Sequence, residues 1–154
     1  FGEFQLHTFL DLVDTTIHYA LTKGEINESD DTPVRVQTVS TLRDILSTHI
    51  EKEKTGWSLR RAMERISKET TGVIVLIGQE ISPEQALEEV VRFPKTASVT
   101  GPVESIGVQN YRVIGTGAQI LKRLGVGKMR MMSTPIRFNA LSGFNLEVTE
   151  FIQP

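Results

Sequence analysis

The spacing of apolar positions changes period several times along this chain, and each change marks an element. From Phe4 to Tyr19, alternating and β-branched residues (Phe4, Leu6, Thr8, then Thr15, Thr16, Ile17) predict two strands of a meander joined near Asp11 to Asp14. Asn27 to Pro33 is a polar turn, and Val34 to Val39 reads as a strand with one apolar face. Thr41 to Ile50 fits neither period. Trp57 to Thr70 predicts a helix: Ser58 can cap it, Leu59, Ala62, Met63 and Ile66 form a core stripe, and Arg60, Arg61, Glu64, Arg65 and Lys68 face water. Val73 to Ile77 is a continuous apolar run of the kind buried on both sheet faces. Ser82-Pro83 opens a helix that runs to about Phe93, with Pro83 in its first turn and Glu84 close behind. Phe93 to Gln109, rich in Gly, Pro, Ser and Thr, predicts a long loop.

The last third carries the most information. Gly115 and Gly117 predict a tight approach, with free backbone N–H groups, into a helix whose apolar face holds Ala118, Ile120, Leu121 and Leu124. Such a helix N-terminus is suited to an anion. Lys122 and Arg123 complement its negative end, and Gly125 and Gly127 terminate it. Met129 to Met132 predicts a short buried strand, Ser133-Thr134-Pro135 a further helix stopped by Gly143, and Leu146-Glu147-Val148 an edge-like strand. Strands interleaved with helices after an initial meander give an α/β fold with a mixed sheet.

Composition narrows the setting. A chain of 154 residues fits one domain, 1–154. With 17 basic and 19 acidic residues, nothing marks a nucleic-acid or anionic-membrane surface, so any phosphate binding has to be local. No apolar run is long enough to span a bilayer and no signal peptide is visible, which makes a cytoplasmic protein the expectation. The absence of cysteine removes both disulfides and thiolate metal ligation. A first residue, Phe1, that is not methionine is expected of a fragment or processed form.

The run GTGAQILKRLGV followed by MRMMST resembles the GTP cyclohydrolase II family, in which Gly-x-Gly-Ala-Gln-Ile-Leu and Leu-Gly-Val precede a strand ending Leu-Leu-Thr-Asn. Gly2-Glu3-Phe4, His18 to Leu21, Arg35-Val36, the helix ending at Gly72 and Gln79-Glu80 extend the resemblance over nearly the whole chain. It implies a three-layer sandwich, usually a homodimer, and a zinc enzyme that opens the guanine ring of GTP at the start of riboflavin synthesis. It further implies a domain that sits C-terminal to a linked 3,4-dihydroxy-2-butanone 4-phosphate synthase part.

The same resemblance shows what this chain lacks. The family's zinc is held by three cysteines, whose counterparts fall at Ser40 and near Glu51 and Glu53. The family's metal lowers the pKa of a bound water to near neutrality, and without thiolates that chemistry is not expected, so no cofactor is expected in this domain. His49, Glu51 and Glu53 could share one strand face and hold a harder metal; the plainer reading is a solvated charged loop. His7 and His18 read as structural. The family's phosphate-binding Gln-Glu-Gly-Arg is here Gln79-Glu80-Ile81-Ser82, so Gln79 and Glu80 either bond a purine edge or end a strand. The family's Asp-x-Arg becomes Asn110-Tyr111-Arg112: Asn110 cannot act as a general base, whereas Arg112 still offers a bidentate fork to phosphate. Ser133 and Arg137 stand in the region of the family's Thr and Lys contacts.

Three functions are compatible with these residues. The chain is a catalytically degenerate domain serving assembly or regulation of a linked synthase, an active purine-nucleotide hydrolase with another metal site, or a sensor of a purine nucleotide or flavin precursor.

Overall fold

A computed structural model describes residues 1–48, 56–92, 103–135 and 141–154, and for residues 92, 103–112, 141 and 142 the backbone alone. Six strands, β1 (Gln5–Leu10), β2 (Ile17–Lys23), β3 (Asp31–Thr38), β4 (Gly72–Ile77), β5 (Lys128–Met131) and β6 (Glu147–Phe151), form one sheet in the order β1-β2-β4-β3-β5-β6. β1, β2 and β4 run antiparallel in turn, and β4, β3, β5 and β6 are parallel neighbours. The sheet is therefore mixed, and β1 and β6 are its edges.

The meander, the both-faces-buried strand and the edge position of the last strand follow the apolar pattern. In β4 every residue is buried. Val73, Val75 and Ile77 join one core with Ala118, Ile120 and Leu121, while Ile74 and Leu76 join a second with Trp57, Ala62 and Ile66. These two cores place helix α3 (Val103–Arg123) on one sheet face and α1 (Leu59–Ser67) on the other, the three layers of the sandwich. Ser58 caps α1 by accepting from the Arg61 amide. At the other end, the Lys23 ammonium donates to the carbonyls of Ser67 and Glu69, both at 2.6 Å, a cation at the negative end of the helix. Glu69 accepts from Arg65 and, at 3.0 Å, from Arg130 of β5, tying α1 to the sheet.

Three local expectations change, and one segment left open by the sequence takes a definite form. The polar turn stops earlier, because β3 starts at Asp31; its pairing with β4 starts only at Val34, so Pro33 lies beyond that ladder, where its missing N–H costs nothing. Thr41–Ile45 forms a single π-helical turn. Of the helix expected between Ser133 and Gly143, residues 136–140 lie outside the described residues; Ser133 to Pro135 is not helical, and Gly143 lies inside a short 3-10 turn, Leu141–Phe144. Most consequentially, Gly115 and Gly117 do not precede a helix but sit within α3, and Val103 to Gln109 is helix instead of loop. Their N–H groups are spent on the helix, so the expected anion-binding N-terminus at Gly115 to Gly117 is not there. Glycine cost was overcome by packing: a Cβ on Gly117 would lie 2.8 Å from Val36 Cγ1, so this glycine lets α3 settle against β3. Among the described residues, no helix is long and apolar enough to cross a membrane.

This arrangement predicts opposite signs for two adjacent substitutions. Gly115→Ala meets nothing within 4 Å and should stabilise the protein by about 0.5–1 kcal/mol in urea unfolding, the helix-interior advantage of alanine. Gly117→Ala should lose stability despite the same propensity gain; equal effects at both positions would contradict the close α3–β3 contact.

Candidate functional site

The crossovers from β3 to β4 and from β4 to β5 leave on opposite sheet faces, and a cavity of about 470 Å³ lies outside the carboxyl end of β4. Its walls are Asp14 and Thr16 before β2, His18 on β2, Ile77 to Ile81 at and after the end of β4, Gln85 and Glu89 on helix α2 (Pro83–Arg92), and Val113 and Thr116 on α3. The geometry brings Gln79 and Glu80 to this cavity, both exposed, as strand-end residues that also face a ligand-sized space.

His18 is 5% exposed and its Nδ1 accepts the Gly78 N–H at 3.0 Å, which places the proton of the neutral ring on Nε2. Nε2 lies 3.9 Å from Asp11 Oδ2, too far for a hydrogen bond. The ring thereby fixes the amide at the end of β4, in keeping with a structural role. Gly78 itself is required there, since a Cβ would fall 2.1 Å from the Ile17 carbonyl oxygen. His7 is likewise engaged, with Nε2 2.9 Å from Thr22 Oγ1.

The N-terminus of α2 is closed by its own side chains. Ser82 N–H donates to Gln85 Oε1 at 2.9 Å and Gln85 N–H donates to Ser82 Oγ at 3.3 Å, a reciprocal capping box. Ser82 Oγ also donates to Glu84 at 2.7 Å, a bond that holds the Glu84 carboxyl below its ordinary pKa. A carboxylate of the chain already occupies the place where a phosphate would meet the helix dipole. Among the described lining residues, Asp14, Glu80 and Glu89 are acidic and none is Lys or Arg.

Beside the cavity, the side chain of Asp44 is 2% exposed and gathers donors from three segments. It accepts from the amides of Ser40 at 3.0 Å and Leu59 at 2.8 Å, from Gln37 Nε2 at 3.2 Å, and from Arg43 through Nε at 3.0 Å and a terminal nitrogen at 2.7 Å. Burial pushes its pKa up, but the Arg43 hydrogen bonds and the two amides outweigh it, so the carboxyl lies below its ordinary range. Arg35, which donates to Gln37 and to the Met132 carbonyl, is pulled down to about 10 by burial and then by the Arg43 charge, with Asp44 acting against both. It remains a cation at neutral pH.

Ser40 is fully engaged: its hydroxyl accepts from the Arg43 amide at 3.3 Å and donates to Glu89 Oε1 at 2.6 Å. A neutral hydroxyl with both functions used is a poor zinc ligand, the chain has no thiolate, and among the described residues no three His, Cys, Asp or Glu side chains cluster. The residues present do not fit the family's zinc. His49, Glu51 and Glu53 lie outside the described residues, as does Arg137. Asn110 and Arg112 are on α3 ahead of the cavity-lining Val113, and their side chains are likewise outside the description. Ser133 is not in the cavity wall; it follows β5 and its hydroxyl donates to the Thr134 carbonyl at 2.9 Å. Asp44, Gln85 and Glu89 were not singled out by sequence. Only Ser82-Pro-Glu-Gln85 carried a local signal, the spacing of a capping box.

Asp44 generates a pH prediction. A depressed folded-state pKa contributes stability above the unfolded value of about 3.9 and loses it as pH falls through the folded value. Asp44→Asn should flatten this acid limb in urea titrations between about pH 2 and pH 5, and Asp44→Ala should cost about 3 kcal/mol at neutral pH.

The model of the family described as GTP cyclohydrolase II matches residues 1–153. A 3,4-dihydroxy-2-butanone 4-phosphate synthase of Pseudomonas aeruginosa is 40% identical over 151 residues, covering 98% of this chain and 40% of that protein. The riboflavin biosynthesis protein RibBA of Cytophaga hutchinsonii is 31% identical over 156 residues, covering 98% of this chain and 38% of that protein. The crystal structure of RibBX, a two-domain 3,4-dihydroxy-2-butanone 4-phosphate synthase from A. baumannii, superposes with a TM-score of 0.64 at 36% identity, over 98% of this chain and 36% of that one. The chain thus spans about two-fifths of the length of these relatives.

Proposed function

The chain belongs to the GTP cyclohydrolase II family, and we propose that it serves riboflavin biosynthesis as a non-catalytic domain of a longer protein, supporting assembly or regulation of a linked 3,4-dihydroxy-2-butanone 4-phosphate synthase part. The observation that carries this reading is the state of Ser40. Where the family resemblance puts a metal-binding thiolate, this chain has a hydroxyl bound to a carboxylate. Two further features support it: the capped N-terminus of α2 replaces a phosphate contact with Glu84, and Asn110 replaces a general base. The length shared with relatives named as synthases supports a linked partner. Homodimeric assembly, as in the family, and a cytoplasmic location belong to the same proposal.

The cavity favours a second reading, a sensor that binds a purine nucleotide or flavin precursor without turnover. Its volume of about 470 Å³ lies within the roughly 300–1,000 Å³ range of small-molecule sites.

Incubation with GTP, with and without zinc or other divalent metals, should release no formate above the uncatalysed background. Formate released at enzymatic rates would refute the non-catalytic reading. Thermal stabilisation by GTP or by a flavin precursor, about 2.7 kcal/mol at a hundredfold excess over Kd, in the absence of formate would select the sensor. In the full-length protein, deleting this domain should alter the oligomeric state or the butanone-phosphate synthase rate; no change in either would remove the assembly role.

A further inference from the structure

Helix α2 is unlike the other helices in how it meets the body of the protein. Leu87, Val90 and Val91, one apolar stripe at helical spacing, are 68%, 56% and 69% exposed. Among the described side chains of α2, residues 83–91, Glu89 is the one that is not exposed. Its carboxylate accepts the Ser40 hydroxyl at 2.6 Å, a short charge-assisted bond between segments 49 residues apart. Glu89 and Gln85 also line the cavity, so α2 is one of its walls.

The other end of that bond is rigid. Ser40 is held by its own amide on Asp44 and by the Arg43 amide on its hydroxyl oxygen, and Asp44 in turn is fixed to β3 through Gln37 and to the start of α1 through the Leu59 amide. Helix α2, whose Leu87, Val90 and Val91 are exposed, is thus tied through Glu89 to a serine whose backbone is bonded to the sheet's own loop.

We propose that Ser40 and Glu89 form a latch that holds α2 as a movable wall of the cavity, with Asp44 as the residue that keeps Ser40 in position. The latch stands just past the end of β3 and joins this segment to α2. Opening it exposes the cavity from the α2 side while the sheet stays folded. This inference does not depend on what the domain binds or on whether it turns anything over.

Amide hydrogen exchange of the full-length protein tests it. Glu89→Ala should accelerate exchange across residues 83–92 by about tenfold, the size of effect expected for one hydrogen bond to a charged group. β4 should be unchanged. Ser40→Ala should do the same, and the double variant should go no further than either single one, since both remove one bond. Glu89→Gln, which keeps an acceptor oxygen, should restore most of the protection. Asp44→Asn should accelerate both residues 83–92 and the first turn of α1. Unchanged exchange of α2 in Glu89→Ala or Ser40→Ala, equal acceleration throughout the sheet, additive effects in the double variant, or failure of Glu89→Gln to restore protection would each overturn the latch.

Discussion

β4 is the constraint on which the remaining structure rests. Every one of its side chains is buried, so it needs cover on both faces, and the alternation of Val73, Val75 and Ile77 with Ile74 and Leu76 divides that cover between α3 and α1. The crossovers on either side of it must then leave on opposite faces. A crevice at the carboxyl end of the strand follows from that geometry. The cavity, the turn from Gly78 to Ile81 and the position of α2 are all downstream of a six-residue apolar run.

Among the described residues, that end of the sheet is filled by groups that bond one another. A zinc centre demands soft, deprotonated donors, and phosphate recognition demands cations or open amides. Here the amides of Ser40 and Leu59 are committed to Asp44, the α2 amides at Ser82 and Gln85 to capping, and the Ser40 hydroxyl to Glu89. These groups satisfy one another. Among the described residues this pairing holds the segments together, while His18 Nε2 in the cavity wall is buried without a hydrogen-bond partner.

Much of the fold could be read from period and punctuation. The meander, the doubly buried strand and α1 with its Ser58 cap all have local signals strong enough to survive tertiary context. The length of α3 did not, because Gly115 and Gly117 read as breakers when the compensating contact, Gly117 against Val36, is far away in sequence. Pro33 misled for a similar reason: whether a proline is tolerated depends on which ladder reaches it. At the site, Gln79 and Glu80 were found through the resemblance, and their place beside the cavity follows from β4. Asp44 and Glu89 were invisible, since their partners come from other segments and no spacing announces them.

One contact ties the start of α1 to the end of the last strand. The indole nitrogen of Trp57 donates to the carbonyl of Ile152 at 3.2 Å, so the residue just ahead of the α1 cap is bonded to the segment that follows β6. Trp57 is the only tryptophan in the chain and is 7% exposed. Its emission is therefore a built-in reporter of whether the segment after β6 is seated against the second core. A red shift would signal that segment peeling away and water reaching a chromophore that the native protein keeps dry.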